Sequence, residues 1–131
     1  MIRAASCHCG QLNALCSGEP VRISICHCID CQRRSGSAFS AQARFPDDCV
    51  ELTGDAREYV RTGESGARAR FRFCPQCGGT IAYTNDTMPG LTAVPLGCFA
   101  DPDFPQPHYS VFEERQHGWL SITGEGIEHF E

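Results

Sequence analysis

The stretch Ile25–Phe39, ICHCIDCQRRSGSAF, sets Cys26, Cys28 and Cys31 within six residues. Thiols separated by one or two residues can grip a single ion, because a short loop curls their sulfurs to the spacing of a metal's coordination shell. A tetrahedral site wants a fourth ligand, and the local sequence offers none. Three things can fill that corner: water or a substrate, a distant side chain such as Cys16, Cys49, Cys98 or His108, or nothing, if the thiols hold no metal. A closed shell means a structural ion and an open one means chemistry, so the fourth ligand separates scaffold from enzyme.

Outward from that stretch, the chain has 131 residues, ten of them cysteine, and 41% apolar content. The length suits a single domain over residues 1–131 with one core. So many thiols serve either as disulfide staples in a secreted domain or as metal ligands and redox groups in a reducing compartment. The opening MIRAASCHCG holds no apolar run followed by a cleavage pattern. No segment reaches the length of apolar chain that crosses a membrane. The expectation is a cytoplasmic protein whose clustered thiols hold zinc.

The formal charge is −5, and falls to about −8 once seven thiolates and two zinc ions are counted. Nucleic-acid partners are therefore not expected, since nonspecific affinity for a phosphate backbone comes from surplus Lys and Arg. The one basic stripe is RARFRF, residues 68–73.

The periodicity predicts a mainly β fold. Val21, Ile23 and Ile25 share one strand face, as do Phe39, Ala41, Ala43 and Phe45. Over residues 68–73, Ala69, Phe71 and Phe73 point inward and Arg68, Arg70 and Arg72 outward. TIAYT and YSVF read as further strands, divided by NDTMPG and DPDFPQP. Thirteen glycines and eight prolines suit short strands and many turns, and leave room for only one short helical turn after Cys28.

CHCG at Cys7 and Cys9 and CPQCGG at Cys74 and Cys77 are tight pairs followed by glycine. Zinc–sulfur bonds of about 2.3 Å put neighbouring sulfurs roughly 3.8 Å apart, so the backbone must turn sharply around the ion. Gly10 and Gly78 can take the left-handed conformation such a turn needs. A redox dithiol at Cys74 and Cys77 would require a following helix, whereas GGTIAYT reads as a strand. Spacing leaves the pairing open. Cys7 and Cys9 can join Cys74 and Cys77, or they can join Cys26 and Cys28 and leave Cys31, Cys74 and Cys77 for a second ion.

With these motifs in order, the sequence resembles the glutathione-dependent formaldehyde-activating enzyme family. The resemblance rests on CHCG, CHCIDCQRRSGSAF and CPQCGG, with LGCFADPDFPQPHYSVFEERQHGWL in the tail, and runs from about Cys7 to Leu120. It implies a β-tent fold with a structural zinc on Cys7, Cys9, Cys74 and Cys77. It also implies a second zinc on Cys26, Cys28 and Cys31, the catalytic ligands, whose fourth position is open to a thiol. The implied activity is a carbon–sulfur lyase resembling S-(hydroxymethyl)glutathione synthase. Glutathione is the co-substrate and formaldehyde or a related aldehyde its partner, in either direction. The alternative is a noncatalytic zinc-binding interaction module with RARFRF as its contact stripe, and a third reading is a redox-sensing triad.

Glutathione's carboxylates need cations, and Arg33 and Arg34 are the nearest to the triad in sequence. Ser37 is a candidate hydrogen-bond partner for substrate or a turn residue. Strand alternation points His27 away from the metal. Cys98 and His108 read as a buried thiol and a surface histidine, Cys16 and Cys49 as core residues, and Trp119 as a packing anchor.

Overall fold

A computed structural model describes residues 1–131 as two β-sheets and one α-helix. Strands β1 (Ile2–Ser6) and β2 (Asn13–Ser17) pair antiparallel, and β2 also pairs with β5 (Val50–Thr53). The other strands are β3 (Arg22–Cys26), β4 (Ser40–Pro46), β6 (Arg57–Thr62), β7 (Arg68–Phe73), β8 (Thr80–Asn85), β9 (Leu91–Pro95), β10 (Tyr109–Val111) and β11 (Glu128–His129). They form an eight-stranded sheet in the order β11-β10-β3-β4-β9-β8-β7-β6, antiparallel except where β10 runs parallel to β3 and β11.

The expected mainly β architecture is what the chain adopts, and alternation decides which residues hold the sheets together. Ile23, Ala43, Phe45, Ile81 and Val94 of the large sheet meet Ala5, Leu12, Ala14 and Cys16 in one buried cluster. Each fully buried large apolar side chain there contributes roughly 1.5–3 kcal/mol. Cys16 lies wholly inside this core and Cys49 packs against it.

The residues between these apolar positions, Arg22, Ser24 and Cys26 on β3 and Ser40, Gln42 and Arg44 on β4, necessarily face the opposite side of the sheet. Their pairing gives three rungs: Cys26 opposite Ser40, Ser24 opposite Gln42, and Arg22 opposite Arg44. That side carries the candidate site.

Helix α1 (Ile29–Ser35) lies over the same side and is longer than the single turn expected. It starts where the Cys28 sulfur, on an extended backbone, accepts a hydrogen bond from the Cys31 N–H at 3.3 Å, taking the place of the usual oxygen cap. Asp30 in its first turn and Arg33 and Arg34 in its last suit the helix dipole, and the helix closes at Gly36. It is pinned to the far edge of the sheet by an Asp30–Arg61 ion pair at 2.6 Å. The Arg34 guanidinium also stacks over Tyr83 at 4.6 Å and Phe71 at 5.2 Å.

Trp119 does not anchor packing. It is 75% exposed, with its ring edge-on to His117 beside a groove along α1.

Candidate metal centres

The turn after β1 carries Cys7 and Cys9, and the turn after β7 carries Cys74 and Cys77. The structure brings all four sulfurs within 4.8 Å of one another. Cys7 to Cys9 is 3.7 Å and Cys9 to Cys74 is 3.6 Å, close to the edge of a tetrahedron around zinc. Both turns use the glycine after the second cysteine in the left-handed region, Gly10 at φ 87° and Gly78 at φ 78°. The curled backbone then donates to the sulfurs: Leu12 N–H reaches Cys7 at 3.3 Å, and Gln76 N–H reaches Cys74 at 3.3 Å.

Gln11 adds a side-chain donor to Cys74 at 3.0 Å and is itself held by the backbone of Asp55 through bonds of 2.6 and 2.9 Å. Burial opposes ionisation of Cys74, but these donors outweigh it and lower the thiol to about 6. Four converging sulfurs, sharp turns and N–H donors fit a thiolate-bound metal. Cys98 lies beside this cluster, donating to Thr80 C=O at 3.5 Å.

The second cluster is Cys26, Cys28 and Cys31, whose sulfurs also lie within 4.8 Å of one another. Cys26 ends β3, Cys28 caps α1, and Cys31 sits in the helix's first turn. Within the cluster Cys31 is the thiol favoured to ionise. Its bond with Cys26 dominates, Ser40 and Cys28 assist, and Arg34 adds its charge, giving a value of about 5, while Cys26 is pushed strongly upward. Three converging sulfurs with a cation nearby fit a metal as well. The Cys7, Cys9, Cys26, Cys28 grouping that spacing allowed is not what the fold assembles, and none of Cys16, Cys49, Cys98 or His108 stands at the triad. The His108 ring instead accepts a bond from Ile23 N–H at 3.1 Å.

The triad opens onto a cavity of about 380 Å³ walled by Arg22, Arg34 and Arg44 as well as the three cysteines. Phe112, half exposed at its rim, is held at φ 57°, a strained setting for a side chain of that size. Of the residues proposed for substrate from sequence, Arg34 lines this cavity. Arg33 and Ser37 are exposed and line a groove with Trp119 on another side of α1.

His27 is fully buried and turned from the cavity as alternation predicts, its Nε2 2.9 Å from Ser110 Oγ and its ring beside Phe39. Burial lowers its pKa.

Arg22 and Arg44 are the residues that reading by local motif misses. Arg44 is only 8% exposed, bonded to Ser24 Oγ at 3.3 Å and stacked 5.9 Å over Tyr83. Arg22 stacks 4.6 Å over Tyr109 and keeps a buried Nε without a partner. Burying a cation costs several kcal/mol, and stacking on an aromatic ring recovers about 2 kcal/mol or somewhat more, so a stack and one 3.3 Å bond leave Arg44 only partly compensated. Burial lowers its pKa in consequence. A signal did exist, since each arginine stands on the polar face of a strand whose other face is apolar.

Fold and sulfur clusters together define a mainly β protein with two sites fit to hold metal ions. The chain belongs to a family, described as glutathione-dependent formaldehyde-activating enzyme, whose model matches residues 2–115. Among solved structures it is similar to a crystal structure of a Rhodobacter sphaeroides protein. The two share 19% identity and a TM-score of 0.57, over 72% of this chain and 85% of that one, a likeness of fold alone. A search of curated proteins finds no match.

Proposed function

We propose that the protein is a zinc-dependent carbon–sulfur lyase resembling S-(hydroxymethyl)glutathione synthase. It would join the thiol of glutathione to formaldehyde or a related aldehyde, or run the reverse. The observation that supports this reading is the three-sulfur cluster facing a cavity with no fourth protein ligand beside it.

In this reading Cys7, Cys9, Cys74 and Cys77 hold a structural zinc, and Cys26, Cys28 and Cys31 hold a second. When bound there, zinc would keep a visiting thiol ionised near neutral pH, where a free thiol of pKa about 8.5 is mostly protonated. A carbon–sulfur bond forms as the carbonyl π bond opens, and the thiol's proton ends on the former carbonyl oxygen. The chain's own part is positioning. The triad fixes where sulfur sits, and Arg34 faces it with positive charge.

Membership of the named family supports the substrate pair, and the clustered thiols support a reducing, cytoplasmic setting. The noncatalytic module has less support. Two arginines of its supposed contact stripe are already paired, Arg70 with Asp86 at 3.1 Å and Arg72 with Glu58 at 3.8 Å.

Metal analysis and cobalt substitution test the proposal. Two ions per chain and a cobalt spectrum altered by glutathione are expected, with formaldehyde–glutathione exchange accelerated in NMR. Should Cys26→Ser retain both ions and the thiol response, the assignment is wrong.

A further inference from the structure

Like charges set directly opposite on paired strands repel, and sheets ordinarily avoid them. Here Arg22 and Arg44 face each other across β3 and β4, on the floor of the triad's cavity, with Arg44 nine-tenths buried. Neither has a carboxylate partner within the chain. The one acid lining the cavity, Asp30, is taken by Arg61 at 2.6 Å. Gln42 is not free to help either, because its amide donates to Ser24 Oγ at 2.9 Å and its oxygen accepts from Ser40 at 2.9 Å. A local rule broken this plainly, with ring stacking and one neutral hydrogen bond but no carboxylate to offset it, marks a site built for an anion brought from outside.

The triad alone does not balance these cations. Three thiolates around a divalent ion carry one negative charge and a fourth thiolate brings a second, against three guanidiniums from Arg22, Arg34 and Arg44. One positive charge is left over, and a single carboxylate matches it. We propose that the floor formed by Arg44 and Arg22 is a carboxylate-binding subsite, and that the substrate is a thiol carrying a carboxylate a few bonds from its sulfur.

The rungs set the scale. Arg44 leans toward the Ser24 rung, to which it is bonded at 3.3 Å, and that rung lies two residues along β3 from Cys26. Two residues of strand span about 7 Å, which a short mercapto-acid or one arm of a cysteinyl peptide covers together with a hydrogen bond of about 2.9 Å to the guanidinium. A cavity of about 380 Å³ sits at the small end of the roughly 300–1,000 Å³ usual for ligand sites, consistent with such a molecule. Guanidinium forks meet carboxylates through two parallel bonds, which supplies orientation as well as charge.

The sulfur end of this inference rests on the lyase reading, and the carboxylate end does not. The test therefore uses three probes on the metal-loaded protein: 3-mercaptopropionate, 2-mercaptoethanol and propionate. In the cobalt form, 3-mercaptopropionate should alter the spectrum at about one-tenth the concentration 2-mercaptoethanol needs, an advantage that Arg44→Gln and Arg22→Gln each erase and Arg44→Lys partly keeps. Propionate should shift the Arg44 side-chain N–H resonance in NMR and compete with the mercapto-acid.

Equal potency of the two thiols in the unaltered protein would overturn the subsite, as would an advantage that survives both glutamine substitutions. If no thiol touches the cobalt spectrum while propionate still shifts Arg44, the lyase reading falls and the subsite stands. Should Arg44→Gln fail to fold, Arg22→Gln and Arg44→Lys decide the matter.

Discussion

The two sulfur clusters are made from similar short segments, yet they join very different lengths of chain. In the four-sulfur cluster Cys9 lies against Cys74 across 65 residues, so an ion there ties the small sheet to the hairpin end of the large one. In the triad all three sulfurs come from one strand end and the first turn of one helix, so an ion there ties nothing distant. Closing a long loop restricts the unfolded chain and closing a six-residue one scarcely does. The four-sulfur shell is also complete and supplied with N–H donors, while the triad faces a cavity rich in arginine. On the proposed reading one cluster holds the fold, and the other is presented to a ligand.

Removing a ligand from each separates the two roles most sharply. Cys74→Ser should lose one ion and with it a stability on the order of several kcal/mol, a large share of the 5–15 kcal/mol typical of a domain. Metal content together with a thermal melt checks this. A variant that keeps a wild-type melt with one ion missing would break the comparison. Cys31→Ser should likewise lose one ion, but melt close to the unaltered protein while the cobalt response to thiols disappears. If its melt falls as far as that of Cys74→Ser, the triad too is a structural clamp.

What the sequence discloses divides along the same line. The knuckles, the left-handed Gly10 and Gly78, the buried faces of β3 and β4 and the inward Phe71 all follow from spacing or alternation within a few residues. The union of Cys7 and Cys9 with Cys74 and Cys77 is not local, and spacing permitted another pairing that only the family resemblance resolved. The opposition of Arg22 and Arg44 was hidden because it depends on the register between two strands, which neither strand reveals alone. Helical phase could have ranked Arg34 above Arg33, since Arg34 lies three residues after Cys31 and shares its face, whereas Arg33 is turned aside. Trp119 misled because a large aromatic ring is usually buried, and nothing near it in sequence shows that this one stays three-quarters exposed.

The wall between α1 and the hairpin of β7 and β8 offers a finer test. Arg34→Ala removes the guanidinium stacked on Tyr83 and Phe71, worth about 0.5–2 kcal/mol, and also a cation that favours the ionised form of Cys31. Its expected signature is a modest drop in urea stability together with a weaker thiol response in the cobalt form. The change removes no sulfur from either cluster, so the number of bound ions should stay the same. Stability lost without any change in thiol response would make Arg34 a packing residue only.

The smallest effect belongs to Asp86, at the turn from which Thr87 and Met88 reach the cavity. Arg68 N–H donates to its carboxylate at 2.9 Å and the Arg70 guanidinium does so at 3.1 Å, and these hold its carboxyl below the ordinary value. A depressed pKa in the folded state means the stabilisation is complete above the unfolded carboxylate's pKa, about 3.9, and is lost as pH falls through the lower folded value. Asp86→Asn should therefore be slightly less stable than the unaltered protein, by a difference that is flat from pH 7 to about 5 and fades only below roughly 4. The pair is exposed, so added salt should shrink the difference. Paired urea titrations across that pH range measure it. A difference that already changes between pH 7 and 5 would assign the effect to another group and leave the hairpin wall held by its strand pairing and the Arg34 stack alone.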